Sequence, residues 1–168
     1  MKHVIIGAGA AGITAAKTIR SLSPDAQILV ISEDEQVHSR CMLHKVISRE
    51  RDAAGISFVP EDFFEAYRIR WMSGTRVKHV WPVTSKVQLE NDETIDFDRL
   101  LIAAGAESFI PPVGDFRTAK NVFGLRHLSD ALKIDQMAET AERVLIVGSG
   151  LVGMDAAYAL LERGKQVT

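Results

Sequence analysis

The chain has 168 residues, with 20 lysines and arginines against 22 aspartates and glutamates, for a formal net charge of -2. That balance argues against a nucleic-acid or anionic-membrane partner, which selects a basic surface, and no apolar run approaches the ~18 residues of a membrane span. One cysteine, Cys41, excludes a disulfide framework, a Cys-x-x-Cys redox pair and a cysteine-rich zinc site.

Structure begins at once, without the basic leader, long apolar core and small-residue cleavage site of a signal peptide, so the expected location is the cytoplasm. Val4 to Ile6 is a β-branched run bounded by glycine and predicts a buried parallel strand. Ala10 to Leu22 is rich in helix formers and stops before Ser23-Pro24. Ile28 to Ile31 predicts a second buried strand, completing a βαβ unit. Pro60-Glu61-Asp62 opens a short helix through about Tyr67, its acidic residues suited to the N-terminal dipole, and Ile69 to Met72 reads as a strand. Thr75 to Trp81, Lys86 to Glu90 and Thr94 to Phe97 alternate apolar and polar residues, with Asn91-Asp92 as a turn. They predict an antiparallel meander laid against the main sheet. Leu100 to Ile102 returns to a buried strand. Pro111 to Asp115 is a stiff, turn-rich linker. Ser129 is positioned to cap a helix of about Asp130 to Ala141. Val144 to Val147 then leads into a glycine turn and a helix to about Arg163, which repeats the opening pattern about 140 residues on.

Two motifs carry chemistry. Gly7-Ala8-Gly9-Ala10-Ala11-Gly12 is a G-x-G-x-x-G between strand and helix. Its first glycine allows the tight turn, the second lets backbone approach a pyrophosphate, and the third lets helix and strand pack closely. The helix N-terminus offers free N–H groups to the anion. Glu33, after Ile31-Ser32, supplies the acidic residue expected about 20 positions on. Gly148-Ser149-Gly150-Leu151-Val152-Gly153 meets the same context. Two fingerprints imply two dinucleotides, and FAD at the first with NAD(P)H at the second makes a hydride relay.

Four ordered motifs carry a family resemblance over the whole chain: Gly7 to Gly12, Ser39-Arg40-Cys41-Met42-Leu43-His44-Lys45, Asp98 to Gly105 with Pro111-Pro112-Val113-Gly114, and Gly148 to Gly153. The chain resembles the N-terminal part of the FAD-dependent pyridine-nucleotide oxidoreductases, within the branch of rubredoxin and ferredoxin reductases, NADH oxidases and the flavin-binding part of assimilatory nitrite reductase. The resemblance implies an α/β fold: a Rossmann-like FAD-binding domain of three-layer ββα type with a small meander over 1–115, and the start of a second Rossmann-like, NAD(P)-binding domain over 116–168. It implies that these residues are about the first two-fifths of an enzyme that dimerises through a C-terminal domain.

Site residues follow by resemblance. Arg40 matches an arginine that contacts FAD. Lys45 matches a lysine beside the reactive edge of the isoalloxazine, where a cation stabilises negative charge as hydride arrives. Ala103, Ala104 and Gly105 fall where backbone meets the flavin, with Ala104 replacing the usual threonine. Val77 falls where backbone binds the adenine edge. Asp155 occupies the place of a glutamate that pairs with the flavin-side lysine, so a Lys45–Asp155 ion pair is expected. FAD-binding residues are then Gly7, Gly9, Ala10, Ala11, Gly12, Ser32, Glu33, Arg40, Lys45, Val77 and Ala103 to Gly105; NAD(P)-binding residues are Gly148, Gly150 and Gly153.

The implied activity is FAD-dependent NAD(P)H:acceptor oxidoreduction, the acceptor a small redox protein such as rubredoxin. Two alternatives stand beside it. One is an NADH oxidase, peroxidase or coenzyme A-disulfide-type reductase using Cys41 as a redox thiol, although the Ser-Phe-x-x-Cys-Gly of such enzymes is absent. The other is a nucleotide-binding module without catalysis. No metal site is expected: His38, Cys41 and His44 are spaced i, i+3, i+6 and have no matching fourth ligand. Trp71 and Trp81 read as packing residues, and Arg126 as a salt-bridge residue of a Leu-Arg-Thr-like segment.

Overall fold

The computed structural model describes residues 1–168, and backbone packing divides them into two compact units, 1–37 with 58–105 and 38–57 with 106–168. In the first, strands β1 (Lys2–Ile6), β2 (Gln27–Ile31), β3 (Arg70–Met72) and β7 (Arg99–Ile102) form a sheet in the order β3-β2-β1-β7. Its three pairings are all parallel. Helix α1 (Ala10–Leu22) makes the crossover from β1 to β2, with the bounds the sequence predicts. Strands β4 (Val77–Trp81), β5 (Lys86–Leu89) and β6 (Thr94–Asp96) form the antiparallel meander.

The layers follow from the period-2 alternation of strand side chains. Ile5, Ile28 and Val30 pack with Ile13 and Ala16 of α1 and with Phe63 of the short helix α3 (Phe63–Ala66). Val4, Leu29 and Ile31, one residue out of phase, pack instead with Val87, Leu89 and Ile95 of the meander. Helix, parallel sheet and meander are thus three layers, and both sheet faces are dry, which explains why β1 and β2 read as unbroken apolar runs. Strand β7 departs from expectation. It is the sheet edge, with Ile102 65% exposed. The helix predicted from Pro60 is a single turn, because the Phe63 N–H donates to the Pro60 carbonyl in a preceding turn and regular helix starts only at Phe63. Trp71 stacks on Phe64 with centroids 4.2 Å apart, a packing role.

The second unit is built on α2 (Leu43–Ile47), α4 (Leu128–Met137) and α5 (Leu151–Glu162), with a two-stranded parallel sheet of β8 (Arg143–Val144) and β9 (Gln166–Val167). Its core joins Leu43, Val46, Ile47 and Ile56 to Ala131, Ala138, Ala159 and Leu160. Around the core, Asp135 accepts from Arg49 Nε at 2.7 Å and lies 2.8 Å from Arg163 Nη1, and Arg163 also donates to the Ile47 carbonyl.

The bounds of two predicted elements differ here. Helix α4 is capped at His127, not Ser129, because the Asp130 carboxylate accepts from the backbone N–H of both Arg126 and His127. It ends at Met137, short of Ala141. Where a strand is expected over Val144 to Val147, β8 pairs Arg143–Val144 with Gln166–Val167, and the Ile146 N–H donates to the Thr168 carbonyl just beyond it. No helix is long and apolar enough to cross a membrane.

Arg20, in the last turn of α1, ties the first unit together. Its guanidinium donates to the carbonyls of Tyr67, Pro24, Ala26 and Arg68 at 2.7–2.8 Å. Arg20→Ala is expected to lower unfolding free energy by about 2 kcal/mol, the scale of lost charge-assisted hydrogen bonds. Arg20→Lys is expected to recover less than half, because a point charge cannot reach four divergent carbonyls. Urea denaturation of the three proteins measures both.

Candidate functional site

In the first unit the candidate residues collect at the C-terminal edge of the parallel sheet. The register pairs Ile6 with Ile31 on one side and with Ile102 on the other, so all three strands end level. The ladder closes with the Gly7 N–H on the Ile31 carbonyl and the Ala103 N–H on the Ile6 carbonyl, both at 2.7 Å. Gly7 to Gly12, Ser32-Glu33 and Ala103 to Gly105 therefore emerge side by side, where ligands bind in open parallel sheets.

The glycines have distinct tasks. Gly7 turns at φ +108°, and a Cβ there would lie 2.3 Å from the Ala103 carbonyl oxygen. A Cβ on Gly12 would lie 1.9 Å from the Gly7 oxygen, so helix and turn pack backbone to backbone. Gly9 is the opposite case: a Cβ there meets nothing within 4 Å. The space it leaves open lies over the start of α1, whose first intrahelical bond is Ile13 N–H to Gly9 carbonyl. The N–H groups of Ala10, Ala11 and Gly12 precede that bond, and no acidic residue occupies the first turn. Free N–H groups and open space meet here, an arrangement able to receive an anion.

Ser32 is buried and Glu33 exposed. The Ser32 N–H donates to the Met72 carbonyl and its own carbonyl accepts from the Thr75 N–H at 2.8 Å, which fixes the strand end. Arg76 Nε stands 3.8 Å from Glu33. Val77 begins the meander two residues after Thr75 and is half-buried, paired with Leu89.

The second unit repeats the glycine geometry. Gly148 has φ +117°, a Cβ on Gly153 would lie 2.4 Å from the Gly148 oxygen, and Gly148 and Gly150 have open space around them. Met154 N–H to Gly150 carbonyl is the first bond of α5. The same unit holds Arg40, Lys45 and Asp155. Arg40 lies in the 3-10 turn Arg40–Met42 and donates from Nη1 to the Arg126 carbonyl at 2.7 Å. Lys45 lies in α2, an element without a signal in the sequence.

The expected Lys45–Asp155 pair is not formed. The Lys45 ammonium donates to Glu50, and Asp155 stands 3.7 Å from His44 Nδ1. The reason is local: α2 ends at Ile47, and the chain turns through Arg49 at φ +63°, which returns Glu50 to Lys45. Spacing cannot reveal Glu50, since i+5 is not a helical contact, and no motif marks His44 as a partner of Asp155. The hydrogen bond that Lys45 donates to Glu50 raises the Lys45 pKa above its ordinary 10.5, and the same bond holds the Glu50 carboxyl below 4.5. On the facing stretch of α5, Glu162 pushes up the Tyr158 hydroxyl through a hydrogen bond. Cys41 is exposed.

The pyridine nucleotide-disulphide oxidoreductase family model matches residues 1–168, and the chain belongs to that family, whose members bind FAD and NAD(P)H. It is 33% identical to an NADH oxidase of Methanocaldococcus jannaschii over 99% of this chain and 39% of that protein. It is 32% identical to the ferredoxin–NAD(+) reductase component of a 3-phenylpropionate/cinnamic acid dioxygenase of Photorhabdus laumondii, over 98% of this chain and 42% of that protein. The crystal structure of NADH:rubredoxin oxidoreductase from Clostridium acetobutylicum superposes with a TM-score of 0.86 at 27% identity, covering 99% of this chain and 43% of that one. The chain thus spans about two-fifths of the length of these relatives.

Two outcomes are expected. Gly12→Ala destabilises the fold by ~1–3 kcal/mol or more through overpacking, while Gly9→Ala, at an extended φ of -75° with open space, stays within ~0.5 kcal/mol; chemical denaturation separates them. For the Lys45–Glu50 pair, the raised lysine pKa gives stability that is lost as pH rises through it, above 10.5, and the lowered carboxyl pKa gives stability that is lost as pH falls through it, below 4.5. The stability difference between the unaltered chain and Glu50→Gln is therefore flat between those values and shrinks outside them, as melting curves across pH will report.

Proposed function

We propose that this chain carries the nucleotide-binding elements of an FAD-dependent NAD(P)H:acceptor oxidoreductase, with a small redox protein such as rubredoxin as acceptor. The observation that supports it most strongly is the double occurrence of one device: a glycine turn at positive φ, an open second glycine and an uncapped helix N-terminus, at Gly7 to Gly12 and again at Gly148 to Gly153. One dinucleotide per device fits a relay between two cofactors. Bound FAD supplies two-electron acceptance from a nicotinamide and one-electron release to a carrier.

The chain's own residues then divide as follows. The N–H groups of Ala10 to Gly12 hold the FAD pyrophosphate, Glu33 with Ser32 reads its ribose, and the Val77 backbone meets adenine. Ala103 to Gly105 offer backbone toward the flavin, and Arg40 supplies a fixed cation. Lys45, kept charged by Glu50, stabilises the negative charge that reduction creates. Gly150 leaves room for the nicotinamide dinucleotide, and Asp155, beside His44 in α5, orients that side. FAD determinants lie within 1–115 and NAD(P) determinants within 116–168. The rubredoxin and ferredoxin reductases among the relatives support the choice of acceptor, and the near-neutral charge leaves recognition of that acceptor to local groups.

Anaerobic addition of NADH to the FAD-reconstituted protein is expected to bleach the flavin band near ~450 nm. Gly150→Val, at a position where an added Cβ meets no protein atom within 4 Å, is expected to abolish bleaching while FAD binding persists. Cys41→Ser is expected to leave bleaching and turnover unchanged. Binding of both nucleotides without bleaching would instead support the non-catalytic module; Cys41→Ser that blocks turnover yet still bleaches would support the thiol route.

A further inference from the structure

Arg40 is held by more than the family motif that contains it. Its Nη1 donates to the Arg126 carbonyl at 2.7 Å and stands 3.3 Å from His127 Nδ1. On the far side of the ring, His127 Nε2 lies 3.0 and 3.1 Å from the two carboxylate oxygens of Glu107. The backbone around this chain of contacts is fastened. Arg126 Nε donates to the Ala106 carbonyl at 2.8 Å, and the N–H groups of Arg126 and His127 donate to Asp130. Gly124 approaches Ser108 so closely that a Cβ on it would lie 2.5 Å from the serine Cβ.

The donor and acceptor chemistry admits one arrangement. A guanidinium has only donors, so His127 Nδ1 has to accept, and it carries no proton. A carboxylate only accepts, so Nε2 carries the proton and donates to Glu107. The ring is therefore held in the Nε2–H tautomer, with Nδ1 an acceptor turned to Arg40. Two acceptors on one guanidinium nitrogen fix the plane of the whole group. The His127 side chain also accepts from the Asp130 N–H in the helix cap, and Glu107, 73% exposed on its side chain against 18% for His127, favours the same tautomer while adding little energy. We propose that His127, with its tautomer set by Glu107 and by the Asp130 N–H of the helix cap, is a positioning residue for Arg40, fixing the guanidinium plane that meets FAD. The proposal rests on the reading of Arg40 as an FAD-contacting cation given above.

Two measurements test it. Two-bond proton–nitrogen correlation spectra of the unaltered chain are expected to show His127 as the Nε2–H tautomer at neutral pH; a proton on Nδ1 overturns the proposal. FAD binding is then compared by fluorescence titration for His127→Asn and His127→Gln. Asparagine places its carbonyl oxygen near the Nδ1 position and keeps the acceptor for Arg40. Glutamine reaches the Nε2 position and keeps only the donor to Glu107. His127→Gln is expected to weaken FAD about tenfold, the loss of one charge-assisted hydrogen bond, while His127→Asn stays within about threefold. A merely structural role predicts the reverse order, since glutamine is nearer to imidazole in size, and that result overturns the proposal. If the unaltered chain binds no FAD, the functional reading fails, and the tautomer alone decides whether the Arg40–His127–Glu107 arrangement exists.

Discussion

The level ending of three parallel strands is the constraint on which the first unit depends. Because Ile31, Ile6 and Ile102 stand in register, one hydrogen bond from Gly7 and one from Ala103 close the ladder at a single edge. A one-residue slip in any strand would exchange its helix-facing and meander-facing side chains, breaking both cores at once. The register is therefore enforced by burial on two sides. The loop that follows β1 inherits that precision, because Gly7 has no room to shift against Ala103. The open space over Gly9 is thus a by-product of sheet packing, and it lies at a helix N-terminus whose free N–H groups favour an anion.

Legibility in the sequence tracks the range of the forces involved. Helix α1 was readable to the residue because its start, a glycine turn, and its stop, Ser23-Pro24, are both local. The meander was readable because alternation and a turn are local too. The glycine fingerprints carry their own geometry, and the structure gives each glycine a separate steric task. What escaped depends on residues far apart. Helix α2 is only Leu43–Ile47 and is buried by Ala131, Ala159 and Leu160, more than 80 residues away. The partners of Lys45 and Asp155 were misassigned because a left-handed turn at Arg49 and the neighbouring His44 redirect both charges.

The second unit replaces sheet register with shared charges. Asp135 accepts from Arg49 and pairs with Arg163, and Arg163 also reaches the Ile47 carbonyl, so one carboxylate links the end of α2, helix α4 and the end of α5. An aspartate used twice limits repulsion between its two guanidinium partners and draws planar donors into fixed directions. Lys45, one turn away, sits on a short helix whose far end is anchored in this way. Its own carboxylate partner then only has to set its charge, not its place.

The division of the chain into interleaved units has a consequence for its birth on the ribosome. Residues 38–57 emerge in the middle of the first unit but find their core only when Ala159 and Leu160 have been made. Through the synthesis of some hundred residues, Leu43, Val46, Ile47 and Ile56 form an apolar loop on an otherwise closable nascent domain. Such a loop is the kind of surface that holding chaperones recognise and that concentrates aggregation in slow translation. The order in which the two units gain stability is thereby set by chain topology: the sheet unit can close at residue 105, and the helical unit waits for nearly the last turn of α5.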